Sequence, residues 1–301
     1  MSSGPKWKSE QLARNVHRVS FDFKRRSDVA HVLLRSDAHH DNPHSNHELE
    51  RKHLAEAMDM NAPVISNGDD FCAMQGKFDP RSSKHDIRPE NMKGDYLDSL
   101  VKTYAEFLKP FAPSLCVFGT GNHETNVLRR METNLTTRLV ERIKTLTGET
   151  IHEAGYTSWV IFQARRSGGK SKKARQSCSS IKLWRTHGYG SGGGFNQGTT
   201  QAAKNSLMVP DAQCIVQGHT HNEWVMNLQR LRLSNRGRVF QDTQTVVQLP
   251  SYKDEIVDGY SGVKSSNWAI ERGMPPKPVG AVWMKLYMDR DTLKFSLERA
   301  Q

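Results

Sequence analysis

The chain has 301 residues, a formal net charge of +11 from 43 Lys or Arg against 32 Asp or Glu, and a 36% hydrophobic content. That composition excludes a disordered or fibrous polymer, and no apolar run approaches the ~18–20 residues a membrane helix needs, so a soluble chain with one large core is expected. Cys72, Cys116, Cys178 and Cys214 show no Cys-x-x-Cys pairing, which argues against a zinc ribbon or a disulfide scaffold and for reduced thiols.

Residues 1–28 mix Lys6, Lys8, Arg14, Arg18, Lys24, Arg25 and Arg26 with few apolar side chains and lack the features of a secretion signal. They read as a basic N-terminal arm on a cytoplasmic protein whose single domain spans 29–301. Val29 to Arg35 reads as a strand, His47 to Met60 as a helix and Pro63 to Ser66 as a second strand. Residues 76–95 contain two prolines and no period, the pattern of a long loop of the kind that forms lids. Tyr96 to Leu108 reads as a helix, Ser114 to Gly119 as a strand, and Glu124 to Leu146 as one long helix ended near Gly148. Tyr156 to Ala164 and Ser179 to Arg185 alternate like two strands joined by a basic loop, 165–177, which holds Arg165, Arg166, Lys170, Lys172, Lys173 and Arg175 and no acid. Those six charges are about half of the positive excess. Such a loop can grip a polyanion or simply be solvated. Gln197 to Met208 reads as a helix, and strands follow at Cys214 to Gln217, Trp224 to Leu233, Arg238 to Leu249, Val282 to Met288 and Leu293 to Leu297.

Short polar blocks follow several of these strands: Ser36-Asp37-Ala38-His39, Asn67-Gly68-Asp69-Asp70, Gly121-Asn122-His123-Glu124, His187-Gly188 and Gly218-His219-Thr220-His221. Polar residues at the carboxyl ends of strands in one sheet are where α/β proteins build sites. Asp37 and His39, like His219 and His221, are two apart, so in an extended strand end both side chains of a pair can face one way. Imidazoles, carboxylates and an amide oxygen are the donor set for a pair of divalent cations ~3.5–4 Å apart, which hydrolyse phosphoesters by activating water and neutralising phosphoryl charge. Any single block arises by chance; five in order do not.

The blocks resemble those of the calcineurin-like metallophosphoesterase superfamily, over Asp37 to His221. The resemblance implies an α/β fold of two mixed β-sheets packed face to face with flanking helices, a four-layer sandwich. It also implies two cations: one held by Asp37, His39, His221 and a bridging Asp69, the other by Asn122, His187, His219 and the same Asp69. It implies that His123 contacts the scissile phosphate as general acid with Glu124 as its partner, and that a hydroxide between the cations is the nucleophile. Manganese is the expected metal, with iron, zinc or nickel also suited to the donors. Where the family often has an acid three residues after the bridge, this chain has Cys72, and Asp70 stands next to the bridge instead.

Other residues are open to two readings. His44, His47 and His53 are expected mostly to face solvent rather than to form a third metal site, while His40, Arg81, Arg88 and Lys204 are candidate substrate contacts by residue type. The glycines from Gly188 to Gly194 could admit an anion to backbone amides or form a flexible turn. The basic balance favours a nucleic-acid or nucleotide phosphodiester over the alternatives, a phosphomonoesterase acting on a nucleotide or phosphoprotein, or a non-enzymatic nucleic-acid-binding protein that keeps the metal scaffold. The chain's size, the glycine run and the Gly273-Met274-Pro275-Pro276-Lys277-Pro278 segment also resemble phosphoesterases of tailed phages, which would act in a host cytoplasm.

Overall fold

The computed structural model describes residues 4–73, 87–166, 178–190, 196–254, 256 and 273–301. In chain order the elements are strands β1 (Trp7–Ala13), β2 (Val16–Phe23) and β3 (Val29–Arg35), helix α1 (His47–Asp59), strand β4 (Val64–Ser66), helix α2 (Tyr96–Leu108), strand β5 (Leu115–Phe118), helices α3 (Asn122–Met131) and α4 (Leu135–Thr147), strands β6 (His152–Glu153), β7 (Thr157–Arg166) and β8 (Cys178–Thr186), helix α5 (Thr199–Met208), and strands β9 (Cys214–Gln217), β10 (Trp224–Leu233), β11 (Val239–Gln248), β12 (Ala281–Asp289) and β13 (Thr292–Ala300). They form a seven-stranded sheet ordered β1-β2-β7-β8-β9-β11-β10 and a six-stranded sheet ordered β13-β12-β3-β4-β5-β6.

Alternation along each central strand divides its side chains between two cores. In β3, Ala30, Val32 and Leu34 enter the core between the sheets with Val19, Phe21, Phe162, Leu183, Val216, Val247 and Met284. Leu33 points the other way, into a core with Leu54 of α1, Leu100 and Tyr104 of α2, and Leu139 and Ile143 of α4. On the far side of the seven-stranded sheet, Trp184, Ile215 and Val246 pack with Ala202 of α5. Helices, sheet, sheet and helix are the four layers expected, and each buried Val, Leu, Ile or Phe in them contributes about 1.5–3 kcal/mol. Among the described residues, no helix is long and apolar enough to cross a membrane.

The segment expected as a basic arm is instead structural. β1 and β2 pair antiparallel, and β2 then runs parallel to β7 inside the sheet. Val19, Phe21 and Phe23, at strand period, fill the inter-sheet core while the basic residues lie on outer faces and in turns. The long helix expected from Glu124 is two helices. Glu132 takes a left-handed conformation (φ 53°) that ends α3, and the Asn134 side chain accepts a hydrogen bond from the Thr137 amide to cap α4. The lid expectation falls mostly outside the described residues, which resume at Ile87, and so does most of the basic loop.

Strands β3, β4 and β5 are mutually parallel, as are β8 and β9 in the facing sheet. Their carboxyl ends therefore open on one edge of the sandwich, and the five polar blocks occupy that edge.

Candidate metal centre

Backbone hydrogen bonds lace the loops together before any side chain is considered. The Asp37 amide donates to Gly68 O at 2.9 Å, His39 to Asp69 O at 3.0 Å, and Gly218 to His187 O at 2.9 Å. Five of the seven implied ligands sit in the left-handed region: Asp37 (φ 53°), His39 (φ 44°), Asp69 (φ 51°), His219 (φ 71°) and His221 (φ 55°). For residues other than glycine this costs ~1–3 kcal/mol each and persists only where surrounding contacts impose it. Two glycines explain how the loops come so close: a Cβ on Gly121 would collide with Asp69, and one on Gly218 with Ser36 and Asp37.

The side chains converge in two adjoining clusters. One nitrogen each of His39 and His221 and one oxygen of Asp37 lie within 4.8 Å of one another, as do donors of Asp69, His187 and His219. In the first cluster His221 Nε2 is 3.2 Å from Asp37 Oδ1 and 3.3 Å from His39 Nε2. In the second, His187 Nε2 is 3.1 Å from Asp69 Oδ2, and Asn122 Oδ1 lies 3.0 Å from His187 Nε2 and 2.7 Å from His219 Nδ1. His187 Nε2 is also 4.0 Å from Asp37 Oδ1, which joins the clusters. Each second-cluster imidazole is turned by a carbonyl on its far side. His187 Nδ1 donates to Asn67 O at 3.1 Å and His219 Nε2 to Gly190 O at 2.9 Å, leaving the inward nitrogen as the acceptor a cation requires.

The electrostatics agree with a cation cage. Burial opposes ionisation of Asp37, but His187 and His221 outweigh it and hold the carboxyl below its usual range. Burial also opposes ionisation of Asp69, and His187 and His123 again outweigh it. For His187, burial is overcome by Asp69 and Asp37, which raise its pKa to about 9. Burial keeps His39 and His219 neutral, helped by His123 and His187 respectively. Asp37 Oδ1 is buried, makes no well-aligned hydrogen bond among the described residues, and is ringed by imidazole nitrogens of His221 at 3.2 Å, His39 at 3.9 Å and His187 at 4.0 Å. A buried carboxylate oxygen without a well-aligned hydrogen bond is costly in that environment, and the oxygen and nitrogen donors around it suit a divalent cation.

The remaining expected residues divide. His123 stands at the rim with its amide donating to Asp69 Oδ1 at 2.9 Å, its Nδ1 to Cys72 O at 2.6 Å, and its Nε2 3.9 Å from Asp69 Oδ2. Glu124 is not the partner of His123. Its carboxylate turns inward, accepts the amides of Gly121 (2.8 Å), Phe71 (3.0 Å) and Asp69 (3.2 Å), and has its pKa raised well above normal by burial and by Asp69 and Asp70. It shapes the turn that carries Asp69. His40 is no substrate contact: it is buried, stacked on His47 (centroids 3.8 Å apart) and on Tyr104 (4.1 Å). His44 and His53 are buried as well, against the expectation of solvent-facing histidines, because the loop before α1 and the first turns of α1 pack beneath the site. Arg88 is buried too, donating to Asn42 O and Ser45 O, so it braces a loop and is not a phosphate clamp. Lys204 is exposed on α5 with no contact to the clusters, and Arg81 lies outside the described residues.

Several supporting residues escaped sequence reading. Asp41 accepts the amides of Cys72 (2.6 Å) and Ala73 (2.8 Å), and Gln248 Nε2 donates to Gly218 O at 2.6 Å. Arg185 is buried with Nε on Asn67 Oδ1 at 2.7 Å. Asn67 was visible as part of its block; a lone Asp, Gln or Arg carries no such signal. Asp70 is neither exposed nor in the cage: it pairs with Arg35 at 2.7 Å and accepts from Ser66 Oγ.

Fold and side chains together give an α/β sandwich with two adjoining clusters of His, Asp and Asn donors at its open edge that could hold divalent cations. No family model matches the sequence, and no curated protein matches it. Among solved structures, the chain is similar to Vacuolar Protein Sorting 29 from Cryptosporidium parvum, at 13% identity over 91% of this chain and 98% of that one, with a TM-score of 0.35. It is also similar to a conserved protein from Streptococcus pneumoniae TIGR4 predicted to be a phosphoesterase (10%, 90% of each chain, TM-score 0.31). A protein assigned as a 5'-nucleotidase from Staphylococcus aureus is matched at 11% over 90% of this chain, which spans only 53% of that one, with a TM-score of 0.41.

Proposed function

We propose that the protein hydrolyses phosphodiester bonds of a nucleic acid or nucleotide with two divalent cations, manganese by preference. Asp37, His39 and His221 would hold one, Asn122, His187 and His219 the other, and Asp69 would serve both. The observation that carries this reading is the pair of adjoining donor clusters around the buried Asp37 and Asp69, joined where Asp37 Oδ1 lies 4.0 Å from His187 Nε2. When bound, the cations would neutralise phosphoryl oxygens and make a water acidic enough to attack near neutral pH. The chain's own groups do the rest. Asp69 is held by the His123 amide so that one oxygen stays directed at His187. Asn122 contributes a neutral oxygen, which limits the negative charge an anionic substrate must approach. His123, fixed through Nδ1 by the Cys72 carbonyl, keeps Nε2 turned toward the cage and is placed to give a proton to the leaving oxygen.

A diester is favoured by the net charge of +11 and by Arg129 and Arg130, exposed on the helix that begins with Asn122 and His123. The test is to compare bis-p-nitrophenyl phosphate with p-nitrophenyl phosphate on manganese-loaded protein, alongside single- and double-stranded DNA and RNA. Faster cleavage of the diester, abolished by chelation, is the expected result. A mono-ester preference would move the assignment to a phosphomonoesterase, and activity that survives complete metal removal would overturn it.

A further inference from the structure

The position where the sequence departs from its resemblance has a partner set of its own. Cys72 Sγ and one nitrogen each of His39 and His123 lie within 4.8 Å of one another. We propose that His39, Cys72 and His123 form a third metal site, for a thiophilic divalent cation such as Zn²⁺ or Cd²⁺, that borders the two-cation cage and shares His39 with it. A sulfur with two imidazoles is a soft donor set that selects such ions over manganese or magnesium, and three protein ligands leave the fourth tetrahedral position to water.

Three observations support the geometry. The backbone of residue 72 is pinned on both sides, its amide by Asp41 at 2.6 Å and its carbonyl by His123 Nδ1 at 2.6 Å, so the thiol is presented rather than left to wander. The same bond leaves the proton of a neutral His123 on Nδ1 and a lone pair on Nε2. His39 is buried, its Nε2 faces His221 at 3.3 Å, and its Nδ1 has no hydrogen-bond partner among the described residues. Ligands of tetrahedral zinc stand roughly 3.3–3.8 Å apart, which side-chain rotation can reach from the present separations. Asn42 Nδ2 donates to Cys72 Sγ at 3.5 Å and favours the thiolate that binding requires. Binding forms the sulfur–metal bond and releases the thiol proton to water.

Occupancy would draw His39 away from the cage and occupy His123 Nε2, the atom offered above as proton donor. Excess zinc would therefore inhibit a manganese-loaded enzyme. The site itself does not depend on that enzyme reading, and its test is spectroscopic.

Metal-free protein is titrated with Cd²⁺ and thiolate-to-metal absorption is followed in the ultraviolet, in the wild type, Cys72→Ser and His123→Ala, with folding checked by circular dichroism. The cage offers only nitrogen and oxygen, Cys116 and Cys214 are buried in the core between the sheets, and the titrations are run in a Cys178→Ser background, so the band reports Cys72. We expect a band whose final amplitude corresponds to one thiolate–cadmium bond per chain in the wild type, that is lost in Cys72→Ser, and that needs about tenfold or more free Cd²⁺ in His123→Ala. No band in the wild type overturns the site, as does a band unchanged in Cys72→Ser. Should Cys72→Ser not fold, an unaltered titration in His123→Ala is enough to overturn it.

Discussion

Asp69 and Asp70 are neighbours in sequence, both buried, and the protein treats their charges in opposite ways. Asp70 belongs to a cluster that contains its own cation: Arg35, fully buried, pairs with Asp70 at 2.7 Å and with Glu50, and donates to Tyr104 OH at 2.8 Å. Asp69 and Asp37 belong to a cluster whose internal positive charge is an exchangeable proton on His187, raised to a pKa of about 9. Their nearest groups are imidazoles, of which burial keeps His39 and His219 neutral. Charge is balanced internally where the role is architectural. It is left open to an external cation where the backbone is strained and the edge of the sandwich is exposed.

The largest effect that would break this comparison comes from Asp69→Asn. Removing the carboxylate proposed to serve both cations should lower metal content from two ions to one or none, measured by elemental analysis, and reduce diester hydrolysis to background. Full metal content in the variant would mean that Asp69 is not shared. Next, His123→Ala should retain both cations yet slow turnover by about 10²–10⁴-fold, the range for a lost general acid. Inactivity caused by metal loss would instead make His123 part of the cage. On the internal side, Arg35→Met should destabilise the fold by about 3–5 kcal/mol in urea titration, because two buried carboxylates lose their counter-charge. A loss below about 1 kcal/mol would erase the distinction between the two clusters.

The convergence of these residues was legible in the sequence because they sit at strand ends: each block is short and follows an apolar run, and four of the five carry a glycine beside the polar residue. The Arg35 cluster was not. Arg35 closes a strand, Glu50 sits in α1, Tyr104 in α2, and nothing in their spacing announces that they meet. Long-range packing also decided the misread histidines: His44 and His53 look like surface residues and His40 like a substrate contact until the loop before α1 and α1 itself are buried and Tyr104 of α2 stacks on His40. At the amino terminus, Val19, Phe21 and Phe23 had strand period all along, but the density of Lys and Arg around them suggested an arm. In the α3–α4 region, helical period runs through Glu132 to Asn134, and only the asparagine cap marks the break.

The smallest effect separates the clusters by proton rather than by mutation. In the metal-free protein, Asp69 and Asp37 raise the pKa of His187 from 6.5 to about 9, so the folded state holds this proton more tightly than the unfolded chain does. The stability it contributes is complete below pH 6.5 and is lost as pH rises toward about 9. Urea midpoints taken in chelator should fall across that window. A bound cation takes the place of the proton, so the same series with metal should lose this slope, and loading near neutral pH should release on the order of one proton from His187, read with a pH indicator in weak buffer. Arg35 has no comparable exchange, since its guanidinium stays charged throughout, and Arg35→Met should leave the metal-linked proton release unchanged. If chelator-treated and loaded protein showed identical slopes, His187 would not be facing the site where the cation binds.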